Sequence, residues 1–126
     1  MADDFNNAIH RDISMVKGDT MTFGFQIQGL GGQRPDEIHF TCIQDLEDED
    51  FVFDRTLDNG VSFRNYDEGT DTLTYGVRVP PESTEEVQEG LYYYDLQLEI
   101  NGDVLTLMKG RLSIEWDIAE PTGGNT

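Results

Sequence analysis

The chain has 126 residues, enough for one domain whose single core needs neither disulfides nor metal. Its 8 Lys and Arg against 26 Asp and Glu give a formal charge of -18, which repels phosphate backbones and anionic lipid surfaces and argues against nucleic-acid and membrane partners. The lone cysteine, Cys42, has no internal disulfide partner, and no apolar leader or membrane-length apolar run is present, so synthesis in the cytoplasm is expected.

Residues 1–11 are polar and without a sustained period, and are expected to form an N-terminal arm. Ile13 and Met15 alternate with Asp12 and Ser14, giving a short first strand that ends at the turn Lys17-Gly18-Asp19. Met21, Phe23, Phe25 and Ile27 then alternate with Thr22, Gly24 and Gln26, a strong strand signature, before the loop Gly31-Gly32-Gln33-Arg34-Pro35. From Glu37 to Ile43 the residues Ile38, Phe40 and Cys42 share one face, opposite His39 and Thr41. The acidic run from Asp45 to Asp50 reads as an exposed connection. Phe51 and Phe53 predict a short strand, turned by Asp58-Asn59-Gly60 into another that contains Val61 and Phe63. Leu73, Tyr75, Val77 and Val79 alternate next, until Pro80-Pro81 removes two successive ladder donors.

Between the prolines and Gly90 lies the one helical signal. Ser83 with Glu86 three residues on predicts a capping box, and Gly90 a C′ position, for a short helical connection near 83–89. The clearest half-buried strand follows, with Tyr92, Tyr94, Leu96, Leu98 and Ile100 on one face and Tyr93, Asp95, Gln97 and Glu99 on the other. Asn101-Gly102 predicts a type I′ hairpin turn, which pairs Ile100 with Asp103, Leu98 with Leu105 and Leu96 with Leu107. Leu112, Ile114 and Trp116 have the opposite parity, so one extra residue must be absorbed, and Gly110 suggests a bulge at Lys109-Gly110. Trp116 is expected in the core, and residues 119–126 are expected to form a flexible tail after a domain at 12–118.

Catalytic chemistry is hard to assemble from this chain. His39 and Cys42 point to opposite strand faces, so they make no local nucleophile–base pair, and Cys42 is expected to be a small core residue. The acidic run from Asp45 lacks the spacing and turn glycine of an EF-hand loop, which favours a solvated segment over a calcium site. No catalytic residue, cofactor or metal site is therefore expected. Tyr93 differs, because it sits on the polar face of the central strand, where an exposed aromatic can anchor a partner. With Gln97 and Thr106 it makes the candidate protein-interface set. The high negative charge reads as a solubilising surface or salt adaptation, which the scarcity of lysine (Lys17 and Lys109) suits, or as a match to a basic partner.

Seven or eight short strands separated by turn signals predict an all-β, antiparallel sandwich or barrel, and the corner Gly90-x-Tyr92-x-Tyr94 before the central strand favours a sandwich. The resemblance of this corner to immunoglobulin-like domains implies an immunoglobulin-like β-sandwich of 7–8 strands. The pattern Gly90-x-Tyr92-x-Tyr94 is similar to the tyrosine corner of immunoglobulin-like domains, with Tyr92 as the corner tyrosine and Tyr94 in the place of the second antibody cysteine. Together with Gly18-Asp19-Thr20, the segment from Val79 to Thr84, Asp95 after the tyrosines, and Thr106-Leu107 through Gly110, it makes residues 12–118 resemble immunoglobulin-like domains of tailed phages. Such domains are similar to the N-terminal domain of phage baseplate upper proteins. The resemblance implies a virion structural protein of tail, baseplate or capsid, present in host cytoplasm during assembly. Its partners would be other virion proteins, with homo-oligomers as a further option. The alternative is a soluble, acidic, host-directed protein that binds a basic partner.

Overall fold

The computed structural model describes residues 8–47 and 50–116. The alternation of apolar and polar residues produces nine strands among them. They are β1 (Ile9–His10), β2 (Ile13–Val16), β3 (Met21–Gln28), β4 (Glu37–Ile43), β5 (Phe53–Leu57), β6 (Gly60–Asp67), β7 (Thr72–Val79), β8 (Gly90–Ile100) and β9 (Asp103–Glu115). All join one sheet in the order β1-β9-β8-β4-β5-β6-β7-β3, with β2 also on β9, and the sheet curls into a half-barrel.

The sheet is mixed, which corrects the all-antiparallel expectation. Both β1 and β2 run parallel to β9, pairing Ile9 with Met108 and Ile13 with Leu112. Two residues of the expected arm, Ile9 and His10, thus lie in the sheet, while its first seven residues and the expected tail at 119–126 lie outside the described residues. Asp58-Asn59-Gly60 also makes no ordinary hairpin. Its positive-φ residues Asp58 and Gly60 fold a tight loop in which Thr56 and Leu57 register in parallel with Gly60 and Val61. That loop joins the β9-β8-β4-β5 half of the sheet to the β6-β7-β3 half.

No α-helix occurs among the described residues. The connection near 83–89 is instead a 3-10 turn at Pro81–Ser83, with Glu85 and Thr84 donating to the Pro81 carbonyl. Tertiary contacts override the capping signal there. Thr84 is fully buried and its hydroxyl accepts from the Gly18 amide at 2.9 Å, while Lys17 reaches Glu89 at 3.0 Å. Gly90 begins β8 rather than ending a helix, and the Tyr92 hydroxyl donates back to the Gln88 carbonyl at 2.5 Å.

The inward faces of the two halves make one core, in which Phe40 is the hub. Its ring meets Phe23 at 5.1 Å, Phe53 at 5.8 Å and Tyr94 at 5.6 Å between centroids. Because Phe23 belongs to β3, at one end of the path, and Phe40 to β4, in the other half, the curl folds the two halves over a shared aromatic cluster. Cys42 is buried beside it, as expected, and burial pushes its thiol up to about 12, so the group stays neutral. The loop after β3 is tied down by Asp71, which accepts from the Gly31 and Gly32 amides at 3.0 and 3.1 Å and from the Tyr66 hydroxyl at 3.0 Å. The Gly31 amide, aided by Tyr66 and Gly32 against some burial, holds this carboxyl below its usual range.

The β8–β9 hairpin forms as expected at its tip, where Asn101 and Gly102 both have positive φ and Leu98 faces Leu105. Further along, Gln97 pairs with Thr106 but Leu96 pairs with Met108, so Leu107 is the extra residue and the bulge precedes Lys109-Gly110. Gly110 has another reason to be glycine. A Cβ there would collide with the Arg11 carbonyl, which crosses its face where the chain passes from β1 to β2. Trp116 is a second correction: it lies past the last β8–β9 pair, Gly90 with Ile114, and is 71% exposed. Phe51 likewise lies outside β5 and is exposed.

Candidate protein-interaction site

The bulge at Leu107 decides what the outer face of the central sheet carries. Past it, Lys109, Arg111 and Ser113 point outward, and their β8 partners are Asp95, Tyr93 and Leu91. β4 adds Ile43 opposite Tyr93, Thr41 opposite Asp95 and His39 opposite Gln97, while β5 adds Asp54 beside Thr41. The result is a set of cross-strand rows, apolar at one end and polar at the other. At the apolar end an open cleft of about 760 Å³ is lined in part by Tyr93, Ile43, Leu46, Lys109, Arg111 and Asp12.

The three candidate residues do not form one cluster. Gln97 and Thr106 meet, with the Gln97 amide donating to the Thr106 hydroxyl at 3.3 Å and to Asp95 at the same distance. Tyr93 lines the cleft, two rows away along β8. All three are half-buried, and so is Asp95, so this face is less open than the alternation of β8 suggested. Beside Tyr93 and Asp95, the segment that follows β4 into Leu46 and the β1–β2 segment with His10 and Asp12 line the same cleft.

A hydrogen-bonded network runs from the cleft toward the hairpin tip. The Thr41 hydroxyl donates to Asp54 at 2.7 Å, and His39 lies between Asp54, at 3.4 Å from Nδ1, and Glu37, at 3.0 Å from Nε2. Burial pushes the Asp95 carboxyl up, Asp54 adds to this, and Lys109 and His39 pull against it. A carboxyl with a raised folded pKa adds stability below its unfolded value of about 3.9, and that contribution disappears as pH rises through the folded value. Asp95→Asn is therefore expected to raise the melting temperature at pH 7, with the gain shrinking as the wild type is acidified. Melting curves of both proteins across acid to neutral pH would show it, and a variant melting below wild type at pH 7 would refute the burial penalty.

Among the described residues no group of three His, Cys, Asp or Glu side chains is placed to hold a metal ion. The cleft brings the aromatic Tyr93 and the aliphatic Ile43 and Leu46 together with the cations Lys109 and Arg111 and the carboxylates Asp12 and Asp95. Ile43 was legible as the next outward residue after His39 and Thr41. Arg111 was legible too, as the outward neighbour of Leu112, but Lys109 was not, because its side depends on where the bulge falls, and Asp12 reaches the cleft only through the parallel pairing of β1 and β2.

Fold and face together define an all-β domain that presents an open amphipathic cleft beside a polar network. No protein-family model and no curated protein matches the chain.

Proposed function

We propose that the chain is a non-enzymatic structural component of a tailed-phage particle, an adaptor or decoration module of tail, baseplate or capsid that works through protein–protein contacts. The observation that carries the reading is the Tyr93 cleft, whose apolar floor and charged rim have the anatomy of a small interface. The immunoglobulin-like resemblance is supported by two features. Strand β2 runs parallel to β9 beside β8 and β4, opposite the β6-β7-β3 half, and Tyr92 bonds back to Gln88 as a corner tyrosine does. A non-catalytic role agrees with the neutral, buried Cys42 thiol and with a His39 ring engaged by two carboxylates.

Mass spectrometry of purified virions tests the assignment directly. Detection at stoichiometric copy number is the expected result. Absence from particles would overturn it and favour the soluble, acidic, host-directed reading. Within the virion assignment, Tyr93→Ala is expected to lower incorporation about tenfold, the effect of losing one interface anchor worth about 1.4 kcal/mol. Its melting temperature should fall far less than that of Tyr94→Ala. Normal copy number of a folded Tyr93→Ala protein would remove the cleft from the interface.

A further inference from the structure

Strand β3 ends the sheet path, and among the described residues its only ladder partner is β7. Proteins blunt such edges with lysine, proline, inward charge or a bulge, because unpaired amides and carbonyls recruit another strand. This edge has none of these devices. Its eight residues, Met-Thr-Phe-Gly-Phe-Gln-Ile-Gln, register with β7 without interruption. They also lie in the longest uncharged run of the chain, from Thr20 to Gln33, in a molecule of charge -18. Nowhere else along the chain do so many consecutive residues lack a carboxylate that would repel a like molecule.

Two side-chain observations say that the edge is unfinished. Met21, Phe23 and Phe25 point inward but are only half-buried, whereas their β7 partners Val79, Val77 and Tyr75 are each at most 1% exposed. Gly24 is exposed in mid-strand, where glycine costs stability. Nothing inside the monomer demands it, since a Cβ would meet only the Tyr75 carbonyl oxygen at 3.5 Å, an ordinary contact. Its partner Gly76 differs, because a Cβ there would strike the Arg64 guanidinium.

We propose that β3 is the seam of a twofold dimer, in which the β3 strands of two copies pair antiparallel about Gly24. A dyad at Gly24 sets that glycine against itself, so no pair of side chains has to be stacked on the outer face at the axis. The same register puts Phe23 opposite Phe25 and Met21 opposite Ile27 on the inner face, and Thr22 opposite Gln26 on the outer face. Like meets like at every position, as a self-complementary patch requires. The aromatic pairs gain cover at the end of the core where each monomer leaves them half-open. Net charge opposes the dimer, so added salt must favour it.

This inference deepens the assembly reading by naming a second copy as one partner. It is tested on the purified chain, so its failure leaves virion incorporation untouched, and absence from virions leaves the dimer untouched. Sedimentation of the full chain is to be followed from about 0.01 M to about 1 M sodium chloride, over which the Debye length falls from about 30 Å to about 3 Å. The expected result is a monomer–dimer equilibrium whose dissociation constant tightens at least about tenfold with salt. Thr22→Glu with Gln26→Glu sets like charges across the dyad and should weaken the dimer about tenfold relative to Thr22→Glu with Gln26→Lys, which sets opposite charges there. A chain that stays monomeric at every salt concentration would overturn the proposal. So would equal dimerisation of the two double variants, which would place the contact elsewhere.

Discussion

Tyr94→Ala is expected to destabilise the domain by about 3–5 kcal/mol, a large share of what a domain of this size has. Tyr94 is 3% exposed and joins three parts of the fold at once. Its ring lies 5.6 Å from that of Phe40, it faces Cys42 on β4 and Gly110 on β9, and its hydroxyl donates to the Arg11 carbonyl at 2.5 Å. Truncation leaves a cavity beside the aromatic hub and an unsatisfied carbonyl at the β1–β2 crossing. Tyr94→Phe separates the two losses, since it keeps the ring and should cost only about 1 kcal/mol. Denaturant unfolding of both variants checks the pair. A Tyr94→Ala protein that melts like wild type would show that the ring does not carry this junction.

Gly110→Ala should cost about 3 kcal/mol, at the upper end of overpacking. The obstacle is backbone: the Arg11 carbonyl lies over Gly110, and the adjacent bonds from the Arg11 amide to Lys109 at 2.9 Å and from the Arg111 amide to Asp12 at 3.1 Å hold it there. Relief requires the β1–β2 segment to lift from β9, so its amides should lose hydrogen-exchange protection before those of β4 and β8. Lifting also removes the acceptor of Tyr94. In the Gly110→Ala background, Tyr94→Phe is then expected to cost almost nothing further, a non-additivity that unfolding measurements on the double variant would reveal. Full additivity would mean that Gly110 and the Tyr94 hydroxyl act independently, contrary to the geometry.

Both residues show where local pattern and tertiary context divide. The positions of β3, β4, β7 and β8 were legible because apolar alternation is a property of a single strand, and β4 at Glu37–Ile43 and β8 at Gly90–Ile100 fall where their patterns place them. The Asn101-Gly102 turn was legible because only a few residues tolerate positive φ at both central positions. Parity also showed that β9 must gain one residue. It did not show where, since a glycine that admits a bulge looks the same in sequence as one that admits a crossing carbonyl. The bulge fell at Leu107, and Gly110 was kept for Arg11.

The same division runs through the candidate site. That Tyr93 and Gln97 share the polar side of β8 follows from a period of two, and that Thr106 meets Gln97 follows from the hairpin register before the bulge. Which side Lys109 occupies, and that Tyr93 lines a hollow, depended on the bulge, the curl of the sheet and a β1–β2 segment distant in sequence. The helix signal at Ser83 failed for a related reason: a capping box is worth about 1 kcal/mol, and burying Thr84 against Gly18 while anchoring Tyr92 on Gln88 outweighs it. By itself the sequence determined β3, β4, β7 and β8, their inward faces and the hairpin tip, all set by contacts between near neighbours. Tertiary structure alone decided the parallel β1 and β2, the closing of both halves into one mixed sheet and the exposure of Trp116, because each depends on which distant backbone takes up an edge or leaves it bare.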